Sequence, residues 1–599
     1  MNTPVSVTEG TQSAAETNAA TSIEHLRAER PARARASSQG NRLKEMAAAR
    51  FPLKGVLRRE FAGYNAAALR GDVLAGITVG AVALPLALAL GMAAGASAGA
   101  GLVTSILAGL IIGGLGGAGY QISGASGSMS AVLIVLSMRF GLEGVLMAGL
   151  LAGILILLIG ILDLGRVVNF IPTAVISGFT SGIALIIFIG QIDHLLGVQT
   201  PANPNALAKL LNYLQFDYVP VLAPVLIGLT VIGLMVWWPK SWNARFPASV
   251  LGLIITTVIA AALNLDVPTV GAIPQTILLD DRLSLTNLPW EYFNSLIGPA
   301  ISLAGLCAIE SLLCGTVGGR MTGQKLDLNQ ELIAQGIGNI VLPFFGGIPA
   351  AAVIARTSVA IKSGARTRVT SIVHAGVLLL AALVLAPLLG RVPLAALAGV
   401  LAVTAWRIND WVGIRGIFGR RFKSAMVAFT ATMLATIALD LTQAIAIGFA
   451  LSALMFIYQI SRTKVVSKPV SAAAMREEGY EMKSDAGRIA VVNVMGPLFF
   501  GTANTFNTTV EELNGMRDVV LNLRMTPLVD TTGLDAIENA ITQIEGKGGR
   551  VYVNGLTEPV QEYLSRAGIL GRLGEERIFD TSDQAIIAAD RYRSAEPAV

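Results

Sequence analysis

The stretch of sequence that decides the fold is "GGIPAAAVIARTSVAIKSGA", residues 346–365. Two glycines and a proline precede a nearly continuous apolar helix that contains one arginine, Arg356. In a membrane, such irregular backbone is tolerated only where it is buried in protein or lines a cavity. A charge at the same depth costs about 2.5 to 3.5 kcal/mol on the insertion scale. If the chain crosses a bilayer, this stretch predicts a functional site inside it.

The composition indicates that the chain does cross a bilayer. Of its 599 residues, 53% are hydrophobic and 14% are charged, and the mean hydropathy is +0.64. The apolar runs repeatedly reach the about 20 residues that a spanning helix needs, which indicates a polytopic α-helical membrane protein. Fourteen apolar segments are centred near residues 82, 109, 130, 152, 182, 228, 256, 305, 338, 356, 379, 399, 432 and 450. The sequence contains no Walker lysine motif, zinc-ligand spacing or catalytic triad, so nothing in it indicates an ATP-driven pump, an enzyme or a bound metal.

The basic residues predict the orientation of these segments. With the N-terminus inside, most of them fall in loops after even-numbered segments, and the opposite loops hold only Arg139, Lys209, Arg282 and Arg391. The positive-inside rule then places both termini in the cytoplasm, and we expect the bacterial inner membrane as the location. Residues 1–60 lack the apolar region of a signal peptide and are predicted to be a disordered, basic, cytoplasmic tail.

An internal repeat relates the two halves of the membrane part. "LGRVVNFIPTAVISG" (164–178) and "LGRVPLAALAG" (389–399) share an L-G-R-V start followed by the spacing Pro-x-Ala-x-x-x-Gly. The two copies mark segments five and twelve, so the repeat is seven segments long. A repeat of odd length reverses the orientation of the second half, which predicts two inverted halves of seven segments each.

Two segments that are too short to span the membrane lie at matching places in these halves. "GGAGYQISGASGSMSAVLIVLS" (116–137) is the third segment, and the opening stretch is the tenth. Two such half-helices can direct their N-termini at each other near the midplane, where free N–H groups and about half a positive charge each favour an anion. Arg356 is then either a fixed positive charge of this anion site or a structural charge that snorkels or pairs.

Several stretches together resemble the sulfate permease family of anion transporters. They are the opening stretch, "LAGITVGAVALPLALALG" (74–91), "GFTSGIALII" (178–187) and "IESLL" (309–313). The resemblance covers about residues 50–590 and implies a homodimer whose transport domain, 61–462, has seven plus seven inverted segments. It also implies that a core of segments 1–4 and 8–11 carries the substrate by an elevator-type movement against a gate of segments 5–7 and 12–14.

Glu310 is the second charge predicted to lie inside the membrane. Its neighbours are apolar or small, so an ionised carboxylate is costly there unless a cation is close. Glu310 is either a permanent counter-charge to Arg356 or a group that binds a coupling proton or sodium ion, and the resemblance favours coupling. No other cofactor is expected. His374, in the eleventh segment, is a further titratable candidate, for which we favour a packing histidine that donates to a backbone carbonyl.

Pro85 is predicted to interrupt the first segment. Its missing N–H and the clash of its ring with the preceding turn can free a carbonyl toward a cavity, although a plain kink is the alternative. The resemblance implies that this stretch faces the substrate, so Pro85 and Leu86 are candidate cavity-lining residues.

The starts of the two half-helices supply the other candidate substrate-binding residues. Ser126, Gly127 and Ser128 begin the first, where hydroxyl groups either cap the helix or bind an anion. In the second, Ile354 and Ala355 occupy positions at which some members of the family have a hydroxyl residue. Anion binding at the tenth segment would therefore depend on backbone N–H groups.

From about residue 465 the composition becomes that of a soluble domain. Strand-like "RIAVVNVMG" (488–496), "DVVLNL" (518–523) and "GRVYVNG" (549–555) alternate with helical stretches, which predicts a small α/β domain. It resembles the STAS domain, expected in the cytoplasm at 485–599 after a linker at 463–484. In "LVDTTGLDAI" (528–537), Thr531 either simply begins a helix or, as the resemblance implies, is a regulatory phosphosite with a protein partner.

These features predict a secondary transporter of small anions, with uptake coupled to protons or sodium ions. Electroneutral exchange and a channel-like permease are the alternatives within transport. A membrane-anchored regulator that acts through its STAS domain would need neither matched half-helices nor Glu310. Arg356 argues against a neutral purine or uracil, and no nucleic acid partner is expected. Sulfate, bicarbonate and C4-dicarboxylates stay open as substrates, and the apolar "AVIART" (352–357) resembles dicarboxylate-type members.

Overall fold

The computed structural model describes residues 53–595, apart from 166–171, 202–205, 216–217, 240–241, 243–246, 287, 440, 463 and 514. The chain divides after Phe449 into two compact units. Most of the tail predicted at 1–60 lies outside the described residues. Its last part, Leu53–Glu60, is a helix, α1, rather than disordered chain.

The first unit consists mainly of apolar helices. In chain order they are α2 (Ala66–Ala93), α3 (Ala98–Leu107, continued by a π-helical turn at Ala108–Ile112 and by Gly113–Leu115), α4 (Gly127–Ile161), α5 (Thr173–Leu196), α6 (Ala206–Gln215), α7 (Leu222–Trp237), α8 (Ala248–Ala262), α9 (Phe293–Thr322), α10 (Leu328–Val341), α11 (Ile354–Lys362), α12 (Val369–Val384), α13 (Leu394–Ile408), α14 (Trp411–Gly419), α15 (Lys423–Ala438) and α16 (Leu441–Ile460), the last of which crosses the boundary between the units. Each predicted segment centre falls in one of these helices or its continuation. Among the described residues, five helices are long and apolar enough to cross a bilayer, so the count of fourteen crossings stays a prediction.

Helix α4 contains the third and the fourth predicted segments. Gly141 lies between them with φ 67° and ψ −172°, a conformation that glycine adopts without the penalty of a Cβ atom. These angles are not helical, so two helices meet at a kink at Gly141. The part of α4 before Gly141 is therefore a half-helix, as predicted.

A short strand precedes each half-helix. Strands β1 (Ser123–Gly124) and β2 (Ala351–Ala352) pair in antiparallel register, with Ser123 opposite Ala352 and Gly124 opposite Ala351. Helix α4 begins three residues after β1, and α11 begins two residues after β2. Because the strands run in opposite directions, the two half-helices start beside each other. This geometry agrees with the predicted inverted halves.

The prolines of the internal repeat occupy equivalent positions. Pro172 is the residue before α5, and Pro393 is the residue before α13, and both have extended backbone angles. Proline fits this place because it restricts the chain to a non-helical approach and lacks an N–H that would need a partner. Residues 166–171, in the middle of the first copy, lie outside the described residues.

Two buried carboxylates, of Glu60 and Asp72, bind the start of the first unit to residues 366–368. Glu60 of α1 forms an ion pair with Arg368, with 2.6 Å between Oε2 and Nη2 and side chains 4% and 5% exposed. Asp72 accepts hydrogen bonds from the backbone N–H of Arg366 at 2.6 Å and from the hydroxyl of Thr367 at 2.6 Å. A carboxylate is favourable here because α12 begins close by and its N-terminus carries partial positive charge.

The second unit is built around a five-stranded sheet of order β3-β4-β5-β6-β7, in which β3 is antiparallel and the others are parallel. Its elements are β3 (Lys464–Pro469), α17 (Ala472–Glu477), β4 (Ile489–Met495), α18 (Ala503–Glu511), β5 (Asp518–Asn522), α19 (Thr531–Gly546), β6 (Val551–Asn554), α20 (Glu558–Arg566), α21 (Ile569–Leu573), β7 (Ile578–Phe579) and α22 (Ser582–Ala595). The predicted α/β domain is confirmed. Strand β3 falls in the stretch predicted as a linker, 463–484, so the sheet includes residues from before 485.

Asp590 of α22 makes the stability of this domain depend on pH. The buried carboxylate accepts hydrogen bonds from the N–H of Ser484 at 2.7 Å and from the Tyr480 hydroxyl at 2.8 Å. Burial opposes ionisation, but these bonds, with those from the Ser484 hydroxyl and the Lys483 N–H, outweigh it and hold the pKa of Asp590 below its ordinary value. The resulting stabilisation is present above the unfolded pKa of about 3.9 and is lost as the pH falls through the native pKa.

We therefore expect Asp590→Asn to lower the thermal stability of the full-length protein at pH 7 and to have a smaller effect at pH 3, where part of the stabilisation is already lost. The exposed Asp583, on the same helix, supplies the control Asp583→Asn, which should change little at either pH. Circular dichroism melts at the two pH values make the comparison. An equal destabilisation by Asp590→Asn at both would show that the ionised carboxylate does not contribute.

Candidate functional site

The chain segments that lead into the half-helices are held by hydrogen bonds from distant residues. The N–H of Ile122 donates to the hydroxyl of Thr357 at 3.0 Å, and the N–H of Val353 donates to the carbonyl of Ile122 at 3.0 Å. The N–H of Ala352 donates to the hydroxyl of Ser311 at 3.2 Å. Backbone groups at membrane depth need such partners because lipid supplies none. These bonds fix the two half-helix N-termini relative to each other.

A polar stripe on α10 adds to this support. Glu331, Gln335 and Asn339 are buried and follow one another at intervals of four, so they share one face of the helix. Gln335 donates to the Ser123 hydroxyl at 3.1 Å, and Asn339 accepts from the Ala350 N–H at 2.7 Å. The sequence analysis missed these residues, although their regular spacing in an apolar segment was a usable signal.

Glu310 of α9 lies at the start of the first half-helix. The hydroxyl of Ser126 donates to its Oε1 at 2.6 Å, and the hydroxyl of Ser128 donates to its Oε2. No side-chain hydrogen bond caps α4. Of the two roles predicted for the serines, capping is therefore not observed. The hydroxyls bind the carboxylate instead.

Arg356 of α11 is 1% exposed, and its Nε, Nη1 and Nη2 atoms have no hydrogen-bond partner among the described residues. Glu310 attracts it electrostatically, but the two described side chains do not form an ion pair within 4.0 Å. Whether Glu310 is a counter-charge to Arg356 or a coupling group stays a prediction. An unpaired buried charge is costly, and the arrangement leaves the guanidinium donors available to a ligand.

The guanidinium lies against Gly124 and Ser105. A Cβ atom at Gly124 would lie 2.6 Å from Arg356 Nη1 and 2.9 Å from Ser105 Oγ, so a side chain at this position would displace at least one of them. The Ser105 hydroxyl is also buried without a partner. The sequence analysis missed Ser105 because a serine in an apolar helix carries no distinguishing pattern.

The remaining half-helix candidates surround these charges. Gly127 is buried, Ile354 is half-buried and Ala355 is exposed. Val353, the residue before helix α11, has no side-chain acceptor and does not cap the helix. Anion binding by the backbone of Ile354 and Ala355 stays a prediction.

Pro85 does not interrupt its segment. Helix α2 runs from Ala66 to Ala93 with Pro85 buried inside it, so the predicted break is wrong. The missing N–H removes one helical hydrogen bond, and the surrounding core keeps the helix continuous. Leu86 packs, half-buried, against the hydrophobic core. The cavity-lining role of both residues stays a prediction.

Thr531 is the first residue of α19 and is exposed. The helix is capped by its neighbour Asp530, whose carboxylate accepts from the N–H of Gly533 at 2.8 Å. Capping therefore does not occupy the Thr531 hydroxyl. Phosphorylation at this position stays a prediction.

A cavity of about 360 Å³ lies beside the first half-helix. Its wall includes Ala89 of α2, Ser130 of α4, Ile187 of α5 and Leu401 of α13. Small-molecule sites typically occupy about 300–1,000 Å³. The cavity lies between predicted core segments 1 and 3 and predicted gate segments 5 and 12, and it does not include Arg356 or Glu310.

Comparison with known proteins identifies relatives of similar length. A Bacillus subtilis protein named "Putative sulfate transporter YvdB" is 32% identical over 537 residues, which cover 88% of this chain and 98% of that protein. The bicarbonate transporter BicA of Synechocystis is 29% identical over 540 residues, covering 86% of this chain and 94% of that protein. The relatives are named as transporters, not as enzymes.

A solved structure of SLC26A9 has the same fold, with a TM-score of 0.79 at 19% identity and coverage of 92% of this chain and 94% of that chain. The model of the sulfate permease family matches residues 69–432, and that of the STAS domain matches residues 482–585. The chain therefore belongs to the sulfate permease family of multi-pass membrane transporters and carries a C-terminal STAS domain.

Proposed function

We propose that this protein is a secondary transporter that moves a small anion across the bacterial inner membrane together with a proton or a sodium ion. Its relatives are named for sulfate and bicarbonate, and both anions are candidates, as are C4-dicarboxylates. The transported anion is the physiological partner of the site, and the two half-helices with Arg356 bind it.

The observation that carries this proposal is the unpartnered guanidinium of Arg356. It is 1% exposed, it lacks hydrogen-bond partners among the described residues, and it lies next to two converging helix N-termini. All three features favour negative charge at the same place. A neutral substrate would leave the excess positive charge uncompensated, so an anion is the ligand that fits.

The substrate then binds among Arg356, the backbone of Ile354 and Ala355, and the start of the first half-helix at Ser126, Gly127 and Ser128. Pro85 and Leu86 would line the approach from α2.

Glu310 supplies the ion-coupling group. It lies at the same half-helix and is held by two hydroxyls without a direct cationic contact from Arg356. A carboxylate in that position can take up a proton or a sodium ion when the anion is loaded. The cation would offset the negative charge that the anion adds.

The movement that exposes the site is the elevator-type displacement of the core against the gate. We also propose a homodimer and a regulatory partner that recognises Thr531 of the STAS domain. Each of these proposals follows the resemblance of the chain to its family.

Uptake by proteoliposomes tests the proposed function. The purified full-length protein should accumulate at least one of sulfate, bicarbonate and fumarate when an inward proton or sodium gradient is imposed. Uptake that requires a second anion inside the vesicles would identify an exchanger. Failure to take up all three under every gradient would contradict the proposal.

Topology provides a separate check on the predicted segment count. Both termini should be cytoplasmic, because the basic loops follow even-numbered segments. We expect a reporter fused after Val599 to behave as an internal one in intact cells. An external signal would contradict the fourteen-segment assignment.

Gly124→Ala should weaken anion binding without unfolding the protein. The new Cβ atom would approach Arg356 Nη1 to 2.6 Å, and the flexible guanidinium can shift away, out of position for the anion. We expect a loss of affinity of up to about tenfold, equivalent to about 1.4 kcal/mol. Gly305→Ala is the control, because a Cβ atom there meets nothing within 4 Å. Equal affinities of the two variants would show that Arg356 does not need this space.

A further inference from the structure

Several buried polar side-chain atoms among the described residues of the first unit have no hydrogen-bond partner, and three of the residues that carry them lie close together. They are Ser105 and His374, both 0% exposed, and Arg356, 1% exposed. The Ser105 hydroxyl, the three guanidinium nitrogens and both ring nitrogens of His374 have no hydrogen-bond partner. The expected donation from His374 to a backbone carbonyl is therefore not observed. Because buried polar groups are nearly always paired, three such residues in one place indicate a site for a ligand.

Short distances at Gly124 and Gly109 show that Ser105 lies next to Arg356 and one turn from a contact with His374. Arg356 Nη1 and Ser105 Oγ both lie within 2.9 Å of the Cβ position of Gly124. One turn after Ser105, the Cβ position of Gly109 lies 3.2 Å from His374 Nδ1. Gly109 belongs to the π-helical turn Ala108–Ile112, a feature that is frequent at functional sites. One helix thus presents Ser105 toward Arg356 and Gly109 toward His374.

The charged groups around His374 are few. From α11, Arg356 acts on it electrostatically, and Lys362 lies at the end of the same helix. Helix α2 carries Arg70 and Asp72, and the Asp72 carboxylate accepts from the Thr370 hydroxyl, one turn before His374. The segment 98–115 and the turn Ala386–Leu389 contain no titratable side chain.

We propose that His374 binds a proton when an anion binds beside Arg356, so that anion affinity rises as the pH falls. This inference rests on the function proposed above. A proton on His374 would place a second positive charge close to Arg356 in a buried site, where like charges repel strongly. A bound anion offsets that repulsion and so raises the affinity of His374 for a proton. By thermodynamic linkage, a proton on His374 raises the affinity of the site for the anion by the same factor.

The proton comes from water and adds to the ring nitrogen of His374 that carries no hydrogen atom. Both ring nitrogens then become N–H donors. It returns to water when the anion leaves. Without an ion on Glu310, a monovalent anion and this proton together leave the net charge of the site unchanged. Because the proton enters and leaves with the anion, it is carried in addition to the ion that is assigned to Glu310.

The test measures the affinity of the purified full-length protein for sulfate, bicarbonate and fumarate between pH 6 and 8. For bicarbonate, the concentration of the bicarbonate ion itself is adjusted to the same value at each pH. Uptake of one proton per anion gives up to about a tenfold rise in affinity per unit fall in pH. We expect at least this slope in the wild-type protein, this slope in Glu310→Gln, and in His374→Gln a slope lower than that of the wild type by one proton per anion. His25→Gln, in the tail, is the control and should keep the slope.

The outcomes separate the inference from the proposed function. A wild-type slope in His374→Gln, or a flat wild-type profile, would overturn the inference while anion binding itself supports the function. A slope that disappears only in Glu310→Gln would assign the proton to Glu310 and equally overturn it. Failure of all three anions to bind would reject the function and the inference together.

Nuclear magnetic resonance covers the case in which His374→Gln does not fold. The chain has three histidines, so ¹⁵N-histidine labelling of the wild-type protein gives few signals, and His25→Gln and His194→Gln assign two of them. Adding the bound anion at constant pH should move the His374 signals toward those of an imidazolium. Unchanged signals at saturating anion would overturn the inference.

Discussion

Arg356→Ala is expected to weaken binding of the transported anion by about 10- to 150-fold. The variant loses a charge-assisted contact worth roughly 1.5 to 3 kcal/mol, which converts to that range of dissociation constants. Lysine should restore only part of the affinity, because a point charge replaces a planar fork of donors. Binding measured on the purified full-length protein, for each of the three candidate anions, gives the comparison.

The thermal stability of Arg356→Ala should stay close to that of the parent. The guanidinium is buried without a hydrogen-bond partner among the described residues, so its removal takes away a desolvation cost, which offsets the cost of the cavity that the shorter side chain leaves. Arg320→Ala, which removes an exposed positive charge from the end of α9, is the matched control for net charge and should keep full affinity. If Arg356→Ala binds as tightly as the parent but melts at a lower temperature, the arginine is structural and the site assignment is wrong.

Glu310→Gln should lose the accumulation that is driven by the ion bound to Glu310, while anion binding is retained. With one such ion per anion, a tenfold gradient of that ion supports about a tenfold accumulation, and the neutral variant should lose this factor. Glutamine keeps the shape of the side chain and still offers an oxygen to the hydroxyls of Ser126 and Ser128. Uptake into proteoliposomes under imposed proton and sodium gradients distinguishes the two coupling ions.

Ser302→Ala is a control on the same helix, since the Ser302 hydroxyl donates to the backbone carbonyl of Gly298 and the residue lies about two turns before Glu310. It should accumulate the anion as the parent does. A response to both gradients in Glu310→Gln that equals the response of the parent would show that Glu310 does not carry the coupling ion. Loss of anion binding in the same variant would instead place Glu310 among the binding groups.

The double variant Arg356→Ala with Glu310→Gln measures how strongly the two charges depend on each other. The groups interact electrostatically without an ion pair, so the changes in affinity should deviate from additivity by less than for a contact pair. A large interaction energy would indicate that Arg356 and Glu310 meet directly during transport.

The sequence by itself determined the membrane class, the inverted halves, the two half-helices and the α/β domain. These features are local or periodic. Glycines 346 and 347 with Pro349 exclude a regular helix where the second half-helix begins, and Pro172 and Pro393 mark the same turn in each half. Apolar length and strand alternation likewise depend on neighbours in the chain, so a single sequence is enough to read them.

Tertiary structure alone decided which groups meet. Ser126 and Glu310 are 184 residues apart in the chain, and their hydrogen bond exists because antiparallel strands bring α4 and α11 together beside α9. The same crossing places the guanidinium of Arg356 beside Gly124 and Ser105. No local pattern encodes such directions, because a side chain's partners in a buried site depend on how distant segments pack. That is why Arg356 and Glu310 could be identified as candidates from sequence, whereas Ser105 and the unpartnered state of His374 could not.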